Sequence, residues 1–258
     1  MVKKNISKEK QGLTVLTPEN DFRFECRQNL DCFTRCCRNI TIVLTPYDIL
    51  RMKNALNISS EDFLANYTMS MIGSAGFPVV LLKMKDDDEN NCPFVTKQGC
   101  LIYPDRPWSC RIYPLQPESS KITENAGKQY YSVMDIPFCL GFKSGRSFTL
   151  AKWIEEQGVL VYQEMEAPFK TITTNEFLSK NMITNKNILE MFYMACYDLD
   201  RFKRFVLEST FLERFQVEPE IVGNIIEDDV ALYFFAMRWL EYGLLGQHVL
   251  KVKQAVTQ

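Results

Sequence analysis

Residues 26–37 read Cys-Arg-Gln-Asn-Leu-Asp-Cys-Phe-Thr-Arg-Cys-Cys, four thiols that end in the adjacent pair Cys36 and Cys37. Four more follow at Cys92, Cys100, Cys110 and Cys139, so eight of the nine cysteines lie in the first part of the chain and Cys196 stands apart. Thiolate is the soft ligand that selects zinc, copper(I) or iron–sulfur clusters, and clustered thiols in a reducing compartment are expected to hold one of these. Disulfides explain the pattern poorly. A chain of 258 residues with 46% hydrophobic residues buries a sizeable core without them, and an odd count with an adjacent pair suits no disulfide framework. The single histidine, His248, excludes His-rich metal centres and leaves little room for a His-dependent triad, so any metal is held mainly by sulfur.

The spacing is Cys26-x5-Cys32-x3-Cys36-Cys37, then Cys92-x7-Cys100-x9-Cys110, then Cys139. Short loops return sulfurs to one metal at small entropic cost, whereas the gap from Cys37 to Cys92 must be closed by the fold. Adjacent side chains such as Cys36 and Cys37 diverge on a strand or loop, so the pair serves a multinuclear cluster, two separate sites, or one site plus a structural or redox thiol. Four thiolates on Zn²⁺ or on a [4Fe–4S]²⁺ core leave a net charge of about −2, which calls for compensating groups when buried. Arg35, Arg38, Arg106 and Arg111 sit beside cysteines and could supply them. Pro93, Pro104, Pro107, Pro114 and Pro137, with Phe33, Tyr103, Trp108, Tyr113 and Phe138, would stiffen the loops and exclude water.

Around the cysteines the pattern is mixed. Thr45-Pro46-Tyr47-Asp48 and Ser59-Ser60-Glu61-Asp62 are helix starts, and 77–85 and 130–134 read as strands separated by the acidic run Asp86–Glu89, a solvated turn. Beyond Thr149 the spacing predicts helices: one from Thr149 to Gly158, one across 187–210, and a last one from near Pro219 to Leu245. The aromatic and methionine stripes there, and Cys196 on one of them, are core positions. The expected fold is α+β, a small irregular cysteine-rich metal-binding core of residues 20–142 leading into a bundle of three to five helices in residues 143–258. No linker separates the regions, so one continuous domain is as consistent as two.

A net charge of −2 gives no bulk electrostatic case for nucleic acid. The stretch 230–250 is interrupted by Arg238, Glu241 and His248 and is a core helix rather than a membrane span, and 1–12 has no apolar run of a secretory signal. The expected location is cytoplasmic. A cysteine nucleophile lacks a base other than His248, no CxxC is present for thiol–disulfide exchange, and Glu155-Glu156 and Asp228-Asp229 are helix neighbours pointing apart into solvent.

The block FECRQNLDCFTRCC followed by ITIVLTPYDILRMK, then CPFVTKQGCLIYPDRPWSCRIYPL and DIPFCLGF, resembles the YkgJ-like cysteine-cluster family, a zinc- or iron-chelating domain. The core of the likeness is Arg106, Pro107, Cys110, Arg111, Tyr113 and Pro114; the family's C-x2-C-x2-C-C spacing is widened here to five and three. The resemblance covers Phe24 to Phe142 in detail and implies a metal-binding fold without fixing a reaction. Three functions follow as expectations. The first is an iron–sulfur centre, [4Fe–4S] or other iron, on Cys26, Cys32, Cys36, Cys37, Cys92, Cys100, Cys110 and Cys139, with a redox or accessory role. The second is a structural zinc module whose helical region binds a protein partner. The third comes from a distant relative, the flagellin lysine methylase, and is an S-adenosylmethionine-dependent protein lysine methylase-like enzyme; no Gly-rich βα turn supports a methyl-donor pocket of the usual kind.

Overall fold

The computed structural model describes residues 15–118, 130–143, 145–181, 185–247 and 250–253. The chain enters through short strands β1 (Val15–Leu16) and β2 (Asp21–Arg23), passes through the cysteine turns, and leaves them in β3 (Val43–Leu44). Helix α1 (Pro46–Leu56) starts where the sequence predicts: Thr45 Oγ accepts from the Asp48 N–H, and the Asp48 carboxylate accepts from the Thr45 N–H. Ser59 caps α2 (Ser60–Tyr67) in the same way through the Asp62 N–H. Strands β4 (Thr68–Ile72) and β5 (Pro78–Leu82) form an antiparallel hairpin, and β3 pairs with the other edge of β5. A two-stranded hairpin, β6 (Val95–Thr96) and β7 (Gly99–Cys100), precedes the short helix α3 (Trp108–Ile112). Strands β8 (Leu115–Glu118) and β9 (Tyr130–Val133) join β1 in a sheet ordered β1-β9-β8, and β10 (Ser147–Thr149) pairs with β2.

The remainder is helical: α4 (Leu150–Glu156), α5 (Val159–Thr173), α6 (Glu176–Asn181), α7 (Lys186–Tyr197), α8 (Leu199–Glu208), α9 (Phe211–Arg214), α10 (Pro219–Glu227) and α11 (Asp229–Leu245). A small pair, β11 (Phe215–Gln216) and β12 (Lys251–Val252), closes the order. Thr149 caps α4, which stops at Gly158 with φ 63°. Two expectations need correction. The helix expected over 187–210 breaks at Asp198, whose carboxylate accepts from Ser60 Oγ at 2.6 Å and whose backbone leaves the helical region. The helix expected from Pro219 to Leu245 breaks at Asp228, which is an N-cap accepting from the Val230 N–H at 2.7 Å. Asp228 and Asp229 are therefore not a solvated pair on one helix: the first caps α11 and the second pairs with Lys53 at 2.8 Å. Both breaks raise the helix count above the three to five expected.

The larger core draws on both regions. Met52, Phe63 and Val80 from the first pack in one cluster with Phe192, Phe202 and Tyr233 from the second. Cys196 is fully buried in this cluster, the core position its spacing predicts. A smaller core of Phe22, Phe24, Ile112, Phe148 and Trp153 lies under the cysteine turns, with Phe24 edge-on to Trp153 at 5.5 Å. Among the described residues no helix is long and apolar enough to cross a membrane. His248 lies outside the described residues.

Candidate metal centre

All nine cysteines are free thiols, and the fold sorts eight of them into two neighbouring sets. The first set is Cys26, Cys32, Cys36 and Cys139, which line one small pocket together with Tyr113 and Phe138. Its walls are brought together by backbone pairing: Phe24 N–H donates to Arg146 O at 3.2 Å and Glu25 N–H to Gly141 O at 3.0 Å. Glycine is needed for that approach, since a Cβ at Gly141 would lie 2.8 Å from Phe24 Cε2 and 2.9 Å from Glu25 O. Between Cys26 and Cys36 the chain runs in turns, with Thr34 at φ 65°, into a single 3₁₀ turn at Arg35–Cys37. The Leu140 N–H donates to Cys32 Sγ at 3.2 Å, and the Tyr113 hydroxyl bonds to Cys139. Cys26 is an exposed residue, yet its thiol is pushed up to about 11, by partial burial first and then by Cys36, Cys32 and Cys139.

The second set is Cys37, Cys92, Cys100 and Cys110. Cys92 N–H donates to Cys37 O at 2.8 Å beside a bridge between Arg38 and Asn91, which closes the long sequence gap. The β6–β7 hairpin sets Cys100 opposite Val95, and α3 carries Cys110. Cys92 is buried in the larger core, and the other three pack against it. Burial, then Cys92, Asp48 and Cys100, push the Cys110 thiol far up, while Arg106 pulls the other way. Burial and then Cys100 raise Cys92.

Cys36 and Cys37 face different sets without separating. Cys37 donates its thiol proton to Cys36, which lowers Cys36 and raises Cys37; Cys37 also feels Cys110 and Cys92, whereas Cys36 is felt by Cys26 and Tyr113. Among the described residues no group of three or more His, Cys, Asp or Glu side chains stands arranged to hold a metal ion.

The surroundings fit a charged thiolate centre. Among the described residues four buried side-chain polar atoms lack a hydrogen-bond partner, and three of them, Arg38 Nε, Trp108 Nε1 and Ser109 Oγ, belong to residues flanking Cys37 and Cys110. A buried donor left unmatched costs about 1–3 kcal/mol, and anionic sulfur is the acceptor the donor set calls for. Of the four arginines singled out, Arg106 is buried within electrostatic reach of Cys110 and Cys100. Arg111 is buried against carbonyls and the Tyr162 ring, at 4.3 Å from its centroid. Arg38 pairs with Glu89, so the acidic turn anchors the segment after Cys37 as well as facing solvent, and Arg35 stacks on Phe138 at 5.0 Å. The aromatic shell is incomplete: Tyr103 and Phe138 are exposed.

Sequence spacing marked Asp48 only as a helix-cap acid. Its second oxygen accepts from the Trp108 N–H at 2.8 Å, joining α1 to the helix that bears Cys110. The carboxyl is fully buried and pushed up to about 7, by burial against the pull of the Thr45 and Trp108 N–H groups and with the Glu166 charge adding to the rise. This second contact of Asp48 leaves no sequence trace beyond the capping box.

No curated protein and no solved structure matches the chain. Residues 25–134 match the model of the CxxCxxCC family, to which zinc or iron chelation is ascribed, and the match takes in seven of the eight clustered cysteines and stops short of Cys139. The metal-binding expectation therefore stands, and nothing in the match supports the lysine-methylase alternative. Over residues 25–134, less than half of the chain, the sequence is thus similar to that zinc- or iron-chelating domain family.

Proposed function

We propose that the chain is a metal-binding protein that holds two thiolate-bound ions, one on Cys26, Cys32, Cys36 and Cys139 and one on Cys37, Cys92, Cys100 and Cys110. The division of eight thiols into two groups of four, each with its own neighbours, carries the reading. A four-sulfur shell is the closed form of a structural zinc site, so zinc, with a structural or accessory role, is the reading we favour.

An iron–sulfur cluster with a redox role is the second reading, favoured at the second set by the buried Arg106 within reach of Cys100 and Cys110. The helical region serves as scaffold, and the core it shares with the first region supports reading the chain as one continuous domain. Free thiols suit a reducing compartment such as the cytoplasm. The test is anaerobic purification with zinc, iron and acid-labile sulfide measured per chain. A colourless protein with two zinc ions and no sulfide supports the proposal; iron and sulfide in similar amounts, with visible absorption, replaces it with the second reading.

A further inference from the structure

The two thiol sets are enclosed by different means. Cys37, Cys92, Cys100 and Cys110 belong to the larger core, and their segments are tied by the Cys92 to Cys37 backbone bond, the β6–β7 hairpin and the Asp48 bond to Trp108. Cys92 is buried in that core, and Cys37, Cys100 and Cys110 are partly buried against it. Cys26, Cys32, Cys36 and Cys139 sit outside it, on turns joined by the Phe24–Glu25 contacts with Gly141 and Arg146 and by the Leu140 N–H bond to Cys32, with Cys139 packed on the smaller core. One wall of their pocket is Cys26, an exposed residue, and another is Phe138, 37% exposed and held by Arg35 stacked on its ring.

We propose that the outer set is an exchange site for a divalent thiophilic ion, entered and left at Cys26 by ligand exchange with a thiol, while the inner set holds its ion as part of the fold. This rests on the reading that both sets bind metal. Exchange at a four-coordinate ion needs a face on which an incoming ligand can approach before an old one leaves, and the exposed Cys26 marks such a face on the outer set. In the step, the sulfur of an incoming thiol bonds to the ion, the bond from the ion to Cys26 breaks, and the proton of the incoming thiol ends on Cys26. The ion keeps four sulfur ligands and no electron changes hands. A second incoming sulfur completes the transfer. Because release from the inner set must wait for local opening of the core, the outer ion should leave at least about a hundredfold faster.

The test uses the full chain, reduced and loaded with zinc under anaerobic conditions, mixed with a chromophoric zinc chelator with and without a small dithiol. The expected result is two ions per chain, one released in a fast phase that the dithiol accelerates, the other released only as denaturant unfolds the protein. In Cys26→Ala the fast phase disappears while the urea midpoint holds; in Cys92→Ala the slow phase disappears and the midpoint falls. Cys139→Ser provides a second outer variant should Cys26→Ala express poorly. Two ions leaving together in one slow phase, or a fast phase that persists in both outer variants, overturns the exchange proposal while leaving the two-site reading intact. A chain that binds no ion overturns both.

Discussion

Asp48→Asn should change the pH dependence of stability in a defined direction. The carboxyl is fully buried, and its value of about 7 stands roughly 3 pH units above the ordinary 3.8. Between those two values the folded state keeps a proton that the unfolded state has lost, so stability falls as pH rises through the window. At 1.36 kcal/mol per pKa unit the fall amounts to about 4 kcal/mol. Asparagine removes that slope at a cost. Both carboxylate oxygens accept, from the Thr45 N–H at 2.9 Å and the Trp108 N–H at 2.8 Å, whereas an amide offers one acceptor and turns its own N–H₂ on the other donor. That mismatch costs about 1–3 kcal/mol. The variant should therefore be less stable than the parent at pH 4 by about 1–3 kcal/mol and more stable at pH 8 by a similar amount, with the crossing in between. Urea unfolding of both proteins across this range reads the effect as a swing of about 1 M in relative midpoint. Both proteins are compared in the metal-free, reduced form, so that loss of metal at low pH does not enter. Parallel curves from pH 4 to pH 8 would refute the reasoning and show that the two backbone donors keep Asp48 ionised despite its burial.

Removing metal from the reduced protein should speed proteolysis within residues 20–142 more than in the helices beyond, because the binding energy of a cysteine site is folding energy; an unchanged cleavage pattern counts against a structural role. Gly141→Ala should push the backbone away from Phe24 and Glu25, at a cost of about 1–3 kcal/mol, and weaken the outer ion while the inner one stays at full occupancy by elemental analysis. Cys196→Ala should cost about 1 kcal/mol in urea unfolding and leave metal content unchanged, since Cys196 is enclosed by the larger core; loss of an ion would return it to the ligand list. Lys53→Met strands Asp200 and Asp229, which Lys53 meets at 3.4 and 2.8 Å, and should destabilise by about 2–3 kcal/mol because a buried pair is broken, with a loss under about 0.5 kcal/mol placing that network among weak surface pairs.

The parts of the fold legible in the sequence are those set by neighbours within a few residues. Thr45 with Asp48, Ser59 with Asp62, and Thr149 with Lys152 each start a helix because the cap hydroxyl and the N–H that donates to it lie in one turn. The breaks at Asp198 and Asp228 escaped notice for the opposite reason. Apolar spacing continues across both, and what stops the helix at Asp198 is a bond to Ser60, 138 residues away. The cysteines follow the same rule. Their types and clustering pointed to sulfur-held metal, but Cys139 meets Cys26 through the pairing of Glu25 with Gly141, and Cys92 meets Cys37 through one backbone bond, contacts that no local spacing encodes. The non-equivalence of Cys36 and Cys37 was readable from adjacency alone; that Cys37 bonds to Cys36 while looking into the other set was not.

Charge balance ties the inner set to the helical region. A dication with four thiolates carries about −2, and a buried centre of that charge needs cations that are not already neutralised. Arg106 and Arg111 are both buried, and among the described residues neither forms a salt bridge with a carboxylate: Arg106 reaches Tyr103 O and Gln157 Oε1, and Arg111 reaches the carbonyls of Pro104, Arg106 and Gln157 and the Tyr162 hydroxyl. Neutral acceptors satisfy the guanidinium hydrogens without cancelling the charge, so the Arg106 charge stays within reach of Cys100 and Cys110, with the buried Arg111 next to Cys110 in the chain. The acceptors at Gln157 and Tyr162 come from the end of α4 and from α5, and Asp48 on α1 holds the start of α3. The helices beyond residue 142 are thus needed to keep two unneutralised arginines in place, which gives a physical reason for a metal-binding segment of this kind to be built into a larger helical body rather than to stand alone.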